Sequence, residues 1–129
     1  MGLYAIHAFE NVYGGLHGME SYAVVECKDE FEVSKIAEEM SFSIINSYDF
    51  LMQEIEREAL ESYESQGYSI ENSPYEDDIF VVLLEMAIKN RIEYEIYLVK
   101  ETDKSLNKLN HIIKLRPKYF IEKYCCKIK

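Results

Sequence analysis

Two short hydrophobic runs near the N-terminus have the pattern of strands. "LYAIHAF" (residues 3–9) is apolar and aromatic on both faces and predicts a buried strand. "SYAVVEC" (21–27) is β-branched and aromatic and predicts a second one. The connection between them is longer than the usual hairpin loop of about two to five residues. A third run, "EYEIYLVK" (93–100), alternates apolar and polar positions and predicts a strand with one face in water.

Between these strands the apolar spacing becomes helical. From Val33 to Ile55 the apolar residues recur every three or four positions, and Asp29 is the expected N-cap. The same phase continues as far as Tyr63, which would make an unusually long helix. The segment "NSYD" (46–49) favours a bend or break, with Ser47 or Asp49 as a new cap, so we expect two helices.

The second half of the chain predicts further helices. Ser73 and Pro74 are expected to start one, with Glu76 completing a capping box, and the helix should end near Asn90. Its apolar face is broad, so we expect it to be the most buried helix. A short amphipathic helix is predicted over residues 106–113; Pro117 interrupts it, and a last helical turn or two follows. The order β-β-α-α-β-α predicts one α+β domain over residues 1–129, with a small antiparallel sheet of about three strands packed on helices, and we expect those helices on one face.

Charge changes this picture by dividing the chain. The formal net charge is −10, with 21 acidic and 5 basic residues in 1–99 but 9 basic and 3 acidic residues in 100–129. Such an acidic body disfavours direct binding to nucleic acid and can instead face a basic partner. The cationic segment can neutralise the body, assist homo-oligomerisation or supply an anion site. Eleven tyrosines and no tryptophan add rings that bind while keeping a hydroxyl in water.

The sequence lacks the patterns that indicate secretion, a membrane span, a zinc site or a disulfide framework. The N-terminal residues carry no basic segment followed by a long apolar run, so no secretion signal is predicted. "IFVVLLEMAI" (79–88) is too short for a membrane span and contains Glu85. Three cysteines without a CxxC pair favour neither a zinc site nor a disulfide framework. We therefore expect a cytoplasmic protein with no metal, no cofactor and no membrane partner.

The segment between the first two strands is the main candidate binding element. It lacks the GK[ST] and GxGxxG patterns of nucleotide loops and leads into a strand, not a helix. Gly14 and Gly15 can nevertheless expose successive N–H groups as an anion nest beside Tyr13 and His17. Arg91 is the expected cation of this site, as a planar donor suited to phosphate. The alternative is a wide hairpin whose glycines serve geometry alone.

Histidines offer a different chemistry. His7 lies in the first strand and His17 in the following connection, so the two side chains can approach each other as a general acid and base. The chain has no HExxH or other metal-ligand spacing to support a metal there. The alternative is that His7 is a hydrogen-bonded strand residue, and we expect no catalytic residue.

The block "YAIHAFENVYGGLHGMESYAVV" (4–25) resembles the N-terminal segment of small proteins encoded by phages and prophages of Firmicutes, whose pattern reads IHAFENxYGGLHGME. The similarity continues loosely through "AEEMSFSIINSY" (37–48) and "FIEKYC" (120–125). No motif of that set fixes an activity, and no ligand residues can be carried over. Small phage proteins of this kind often antagonise bacterial immunity, either as sponges for nucleotide signals, like the Thoeris anti-defence sponges, or as blockers of CRISPR effectors.

Three functional hypotheses follow. The first is stoichiometric sequestration of a nucleotide-derived immune signal in the cytoplasm of an infected bacterium, by a homo-oligomer that binds through Tyr13, Gly14, Gly15, His17 and Arg91. The second is an acidic inhibitor that mimics nucleic acid and blocks a bacterial immune effector of the CRISPR type; its expected interface is Glu54, Glu58, Glu61 and Tyr63. The third is a small hydrolase using His7 and His17. Because catalytic spacing is missing, we rank binding above catalysis and sequestration first.

Overall fold

The chain folds around a four-stranded antiparallel sheet. The computed structural model describes residues 2–10, 19–47, 49–68 and 76–128. Its elements in chain order are β1 (Gly2–Glu10), β2 (Glu20–Cys27), α1 (Glu30–Asn46), α2 (Asp49–Ser65), α3 (Asp78–Arg91), β3 (Ile92–Val99), α4 (Leu106–Leu115), α5 (Pro117–Tyr124) and β4 (Cys125–Lys127). The predicted α+β class is confirmed, with one more strand than expected.

The strand order is β2-β1-β3-β4, so β1 and β3 are central. β1 pairs with β2 from Gly2↔Cys27 to Phe9↔Glu20, and with β3 from Tyr4↔Leu98 to Glu10↔Ile92. β4 is the short fourth strand, which the sequence pattern did not predict. It pairs with β3 through Val99↔Cys125.

Helices cover both faces of this sheet, which corrects the expectation of helices on one face. On one face Ile6, Ala8 and Ile96 pack into clusters with residues of α1, α2 and α3. On the other face Ala5 and Tyr97 pack against α4 and α5. Because side chains alternate along a strand, residues of opposite parity in β1 reach the two separate helical layers. The face of β3 predicted to be wet is therefore partly buried.

The predicted N-cap of α1 and the predicted break between α1 and α2 are present, whereas residue 48, directly before α2, lies outside the described residues, so a cap of α2 by Ser47 or Asp49 stays a prediction. Asp29 caps α1 by accepting from the backbone N–H of Glu32 at 2.9 Å. The helix stops at Asn46, where the Ser47 hydroxyl donates to the Ser43 carbonyl at 2.7 Å, so the expected break is confirmed. α2 ends before Gly67, whose φ of 90° lies in the left-handed region that glycine adopts without strain.

α3 differs from its prediction in two ways. It begins at Asp78 with Asp77 as N-cap, not at Pro74 with Ser73. Residues 69–75 lie outside the described residues. It is also not the most buried helix: Phe80, Ala87 and Ile88 are buried, but other apolar side chains on its opposite side are exposed. In the described part of the chain, no helix is both long and apolar enough to cross a membrane.

Candidate functional site

Most of the ligand site predicted from the sequence cannot be placed. Tyr13, Gly14, Gly15 and His17 lie outside the described residues. Arg91, the remaining member, lies at the last position of α3, immediately before β3.

Arg91 is already paired within the chain. Its guanidinium donates to Glu54 Oε2 at 3.0 Å and to Glu58 Oε2 at 3.5 Å. Only 18% of its side chain is exposed. This clamp ties the end of α3 to the middle of α2. An arginine with two carboxylate partners is poorly placed to serve as the phosphate donor of a ligand site.

The four residues predicted to form a protein interface differ in how far they are available to a partner. Glu54 and Glu58 are partly neutralised by Arg91, and Glu61 is exposed. Tyr63 is buried, and its hydroxyl donates to Asp77 Oδ2 at 2.5 Å. It therefore belongs to the α2–α3 packing and offers no surface to a partner, which corrects its assignment to the interface.

One cavity of about 500 Å³ opens between α1, α3 and β3. Its polar lining includes the carboxylates of Glu38, Glu85 and Glu93 but one ammonium group, that of Lys89. We call it the acidic pocket. Three carboxylates against one cation repel a phosphate-bearing ligand, so this pocket does not suit a nucleotide.

A second cavity of about 520 Å³ has the opposite balance. It lies on the sheet face that carries α4 and α5, next to the part of the sheet that these two helices cover. We call it the sheet–α5 pocket; its lining residues are His7, Glu20, Tyr22, Arg116, Pro117, Lys118 and Tyr119. Its lining carries two permanent cations and one carboxylate, which is an excess of positive charge. The acidic pocket and a further cavity beside Asp78 carry an excess of negative charge.

One wall of the sheet–α5 pocket is a stack of aromatic rings, which we call the ring pile. His7 stacks on Tyr22 with ring centroids 4.2 Å apart and planes 2° from parallel, and on Phe9 at 4.7 Å. This arrangement follows from the strand register, because His7 lies opposite Tyr22 and Phe9 is on the same face two residues later. A flat ring pile at a pocket wall is a surface on which a nucleobase can stack.

The Glu20 carboxylate holds this pile in place. It accepts from His7 Nε2 at 2.8 Å and from the Tyr22 hydroxyl at 3.4 Å. Burial, reinforced by the charge of Glu20, raises the pKa of Tyr22 to about 12. Tyr22 is therefore a neutral phenol at physiological pH. Because Glu20 already accepts hydrogen bonds from two side chains, its negative charge repels an incoming anion less strongly.

The opposite wall is cationic. The Arg116 guanidinium lies 4.8 Å from the centroid of the Tyr119 ring. Lys123 donates to the Tyr119 hydroxyl at 2.9 Å, and this hydrogen bond lowers the pKa of Tyr119. Arg116 is the N-cap of α5, and no side chain caps that helix end. The positive end of the α5 dipole thus lies on the same side of the pocket as Arg116 and Lys118.

Sequence reasoning named His7 for acid–base chemistry and did not assign the other residues of this pocket to a nucleotide site. The signal was present in "LRPKYF" (115–120), where Pro117 ends one helix and starts the next between two cations. The packing of that helix start beside Tyr22 depends on how α4 and α5 lie on the sheet, which no local pattern specifies.

The described residues do not assemble a metal centre. No group of three or more histidine, cysteine, aspartate or glutamate side chains in the described ranges has the geometry to hold a metal ion. His7 uses its Nε2 on Glu20, and its ring stacks with those of Phe9 and Tyr22. His17, its proposed partner, lies outside the described residues, so the His7–His17 pair stays a prediction.

Comparison of the chain with protein families, with curated proteins and with solved structures gave no match.

Proposed function

We propose that this protein is a non-enzymatic, phage-type anti-defence protein that sequesters a nucleotide-derived immune signal in the cytoplasm of an infected bacterium. The observation that carries this proposal is the sheet–α5 pocket. It combines aromatic rings with an excess of cations in a chain whose formal net charge is −10. A nucleotide needs both, because its base stacks on rings and its phosphates need positive charge.

Each wall has a role in this proposal. The Arg116 guanidinium and the Lys118 ammonium bind the phosphates, assisted by the uncapped N–H groups at the start of α5. The base stacks on Tyr119 or extends the pile of His7 and Tyr22. The pocket volume of about 520 Å³ is in the range of small-molecule sites. The proposed site thus replaces Arg91 with Arg116 and Lys118, for which no ion pair is found within the described ranges.

Calorimetric titration with cyclic nucleotides and cyclic ADP-ribose isomers tests the proposal. We expect saturable binding of at least one member, with the ligand recovered unchanged by chromatography. Changing Arg116→Gln together with Lys118→Gln should weaken binding more than about tenfold, because each removes a charge-assisted hydrogen bond.

The matched control is Lys108→Gln with Lys114→Gln. It removes the same two charges from α4, outside the pocket lining, and should change affinity only slightly. Arg91→Met should leave affinity unchanged. Equal losses in the two double variants would mean that overall charge, not this pocket, governs binding. Absence of binding across the panel would refute the proposal, and recovered hydrolysis product would favour the hydrolase alternative at His7.

One observation favours the second candidate, an acidic inhibitor of a CRISPR-type effector. α1 and α2 together carry ten acidic and two basic residues and form one layer of the molecule. Such a layer can occupy a basic channel that normally holds a phosphate backbone. The Arg91 clamp on Glu54 and Glu58 weakens this candidate, because it partly neutralises two of these carboxylates. Effector binding that is unchanged between low and high salt would exclude it.

A further inference from the structure

α3 exposes a row of apolar side chains that the described part of the chain leaves largely open to solvent. Val82 and Met86 are more than half exposed, at 53% and 55%, and Ile79 is 38% exposed. Spacings of three and four residues put these three side chains on one side of the helix, along about 10 Å of its axis. We call this row the α3 stripe.

The α3 stripe is separate from the core contacts of the same helix. Phe80, Ala87 and Ile88 point into the buried clusters with α2 and the sheet. α3 is therefore apolar on two sides, whereas a helix at the surface of a monomer needs one apolar side. A compact row of exposed aliphatic side chains typically marks a contact surface.

The charges along the helix indicate what covers the stripe. Asp78 lies at its N-terminal end, with Glu76 just before it, and Lys89 lies at its C-terminal end. All three are exposed, and no ion pair is found for them among the described residues. Glu85, also exposed, lies between them on α3 and lines the acidic pocket together with Lys89. This distribution is complementary to itself when the helix is reversed. An antiparallel copy places Lys89 beside the acidic end of the other helix, whereas a parallel copy places like charges together.

We propose that the α3 stripe pairs with the α3 stripe of a second copy, antiparallel, around a two-fold axis close to Val82. In this arrangement Val82 of each copy lies near the axis, and Met86 of one copy packs on Ile79 of the other. Lys89 of each copy approaches Asp78 and Glu76 of the other. Opposed helix dipoles add to the attraction. The sheet–α5 pocket lies across the sheet from α3, so this pairing stands independently of the proposed function.

Cysteine cross-linking tests the axis and direction of this pairing. The background is Cys126→Ser, because Cys126 is the exposed thiol and Cys27 and Cys125 are buried. We expect Val82→Cys to oxidise readily to a disulfide-linked dimer, since the two sulfurs lie close to the axis. Ile79→Cys alone should cross-link poorly, but a mixture of Ile79→Cys and Met86→Cys chains should form mixed dimers.

Sedimentation of the unmodified chain provides the second measurement. We expect reversible dimers, and Val82→Glu should weaken dimerisation by about tenfold or more because it buries a charge at the apolar centre. Phe31→Glu is the matched control: Phe31 is 70% exposed on α1, away from the stripe, and its change should leave dimerisation intact. Far-ultraviolet circular dichroism checks that both variants fold.

Three results would overturn the proposal. The unmodified chain remains monomeric at all concentrations while Val82→Cys does not cross-link. A dimer forms but is unaffected by Val82→Glu, so that its interface lies elsewhere. Phe31→Cys cross-links as fast as Val82→Cys, which would indicate random collision.

Discussion

At the scale of single residues, the role of a carboxylate here depends on what donates to it. Glu20 accepts from two rings and fixes a pocket wall, whereas Glu54 accepts from Arg91 and ties two helices together. Asp77 combines both functions, because it caps α3 through the Ile79 N–H and accepts from the buried Tyr63. Glu10 is buried, and its Oε2 has no hydrogen-bond partner among the described residues. Residue type alone did not distinguish these four environments.

Asp77 gives a prediction about acid sensitivity. Two hydrogen bonds lower the pKa of Asp77 below its ordinary value of 3.8. The larger effect comes from the Tyr63 hydroxyl and the smaller from the Ile79 N–H. A lowered pKa contributes stability above the unfolded value and loses it as the pH falls through the folded value. The wild type should therefore be more stable than Asp77→Asn near neutral pH, and the gap should shrink below pH 3.8. Urea unfolding at a series of pH values measures this.

Tyr63→Phe provides the control for that experiment. It removes the main donor but keeps the buried ring, so it should reduce the same pH-dependent gap without opening a cavity. A gap between wild type and Asp77→Asn that does not change with pH would show that the cap geometry, and not the charge, is what Asp77 contributes.

At the scale of elements, α4 completes an edge of the sheet. β2 is an edge strand, so some of its peptide groups lack a strand partner. Asn110 on α4 satisfies Val24 in both directions: its Oδ1 accepts from the Val24 N–H at 2.8 Å, and its Nδ2 donates to the Val24 carbonyl at 2.8 Å. One amide side chain thus does what a neighbouring strand would do and fixes α4 on this face of the sheet.

Asn110→Ala should destabilise the protein by about 2 kcal/mol, because it leaves two part-buried peptide groups without partners. Asn110→Asp keeps the acceptor but loses the donor, and its carboxylate repels the Val24 carbonyl, so it should also be destabilising. Urea unfolding monitored by tyrosine fluorescence gives both values. A loss below about 0.5 kcal/mol in Asn110→Ala would show that water replaces the amide.

At the scale of the whole molecule, charge is separated across the sheet. α1 and α2 form a layer with an excess of acidic residues, whereas residues 106–124 on the other face carry five basic residues and one acidic residue. The layers lie on opposite faces, at a separation of roughly 20 Å given a packing distance of about 10 Å per layer. That exceeds the screening length of about 10 Å in 0.1 M salt, so attraction between the layers is weaker than repulsion within the acidic layer.

Added sodium chloride should therefore raise the Tm, by about 4 °C if screening contributes about 1 kcal/mol. Glu56→Lys in the acidic layer should raise the Tm at low salt and reduce the salt response. Glu122→Lys makes the same charge change in the basic layer and should lower the Tm at low salt. Scanning calorimetry at low and high salt measures all three proteins. A Tm that falls with salt would mean that ion pairs such as Arg91–Glu54 dominate.

Local signals predicted much of this fold because they act within a few residues. Asp29 caps α1, the 46–49 segment separates α1 from α2, and Pro117 separates α4 from α5. Each depends on a short-range contact or steric clash that the sequence specifies directly. The start of α3 was predicted wrongly: Asp77 caps this helix through the Ile79 N–H and also accepts from Tyr63, a contact with a distant residue that no local pattern shows.

The sequence by itself determined the α+β class, the charge division, the start of α1 and the breaks near residues 46–49 and at Pro117, because periodicity, composition and capping encode these locally. The tertiary structure decided which face each helix covers, that Arg91 pairs with Glu54 and Glu58, and that His7 and Tyr22 meet Arg116 and Lys118 at one pocket. Those contacts join residues far apart in the chain. These contacts form only when whole layers pack together. That packing is driven by burial of apolar surface, which is non-directional, so no short sequence pattern predicts which layers will meet.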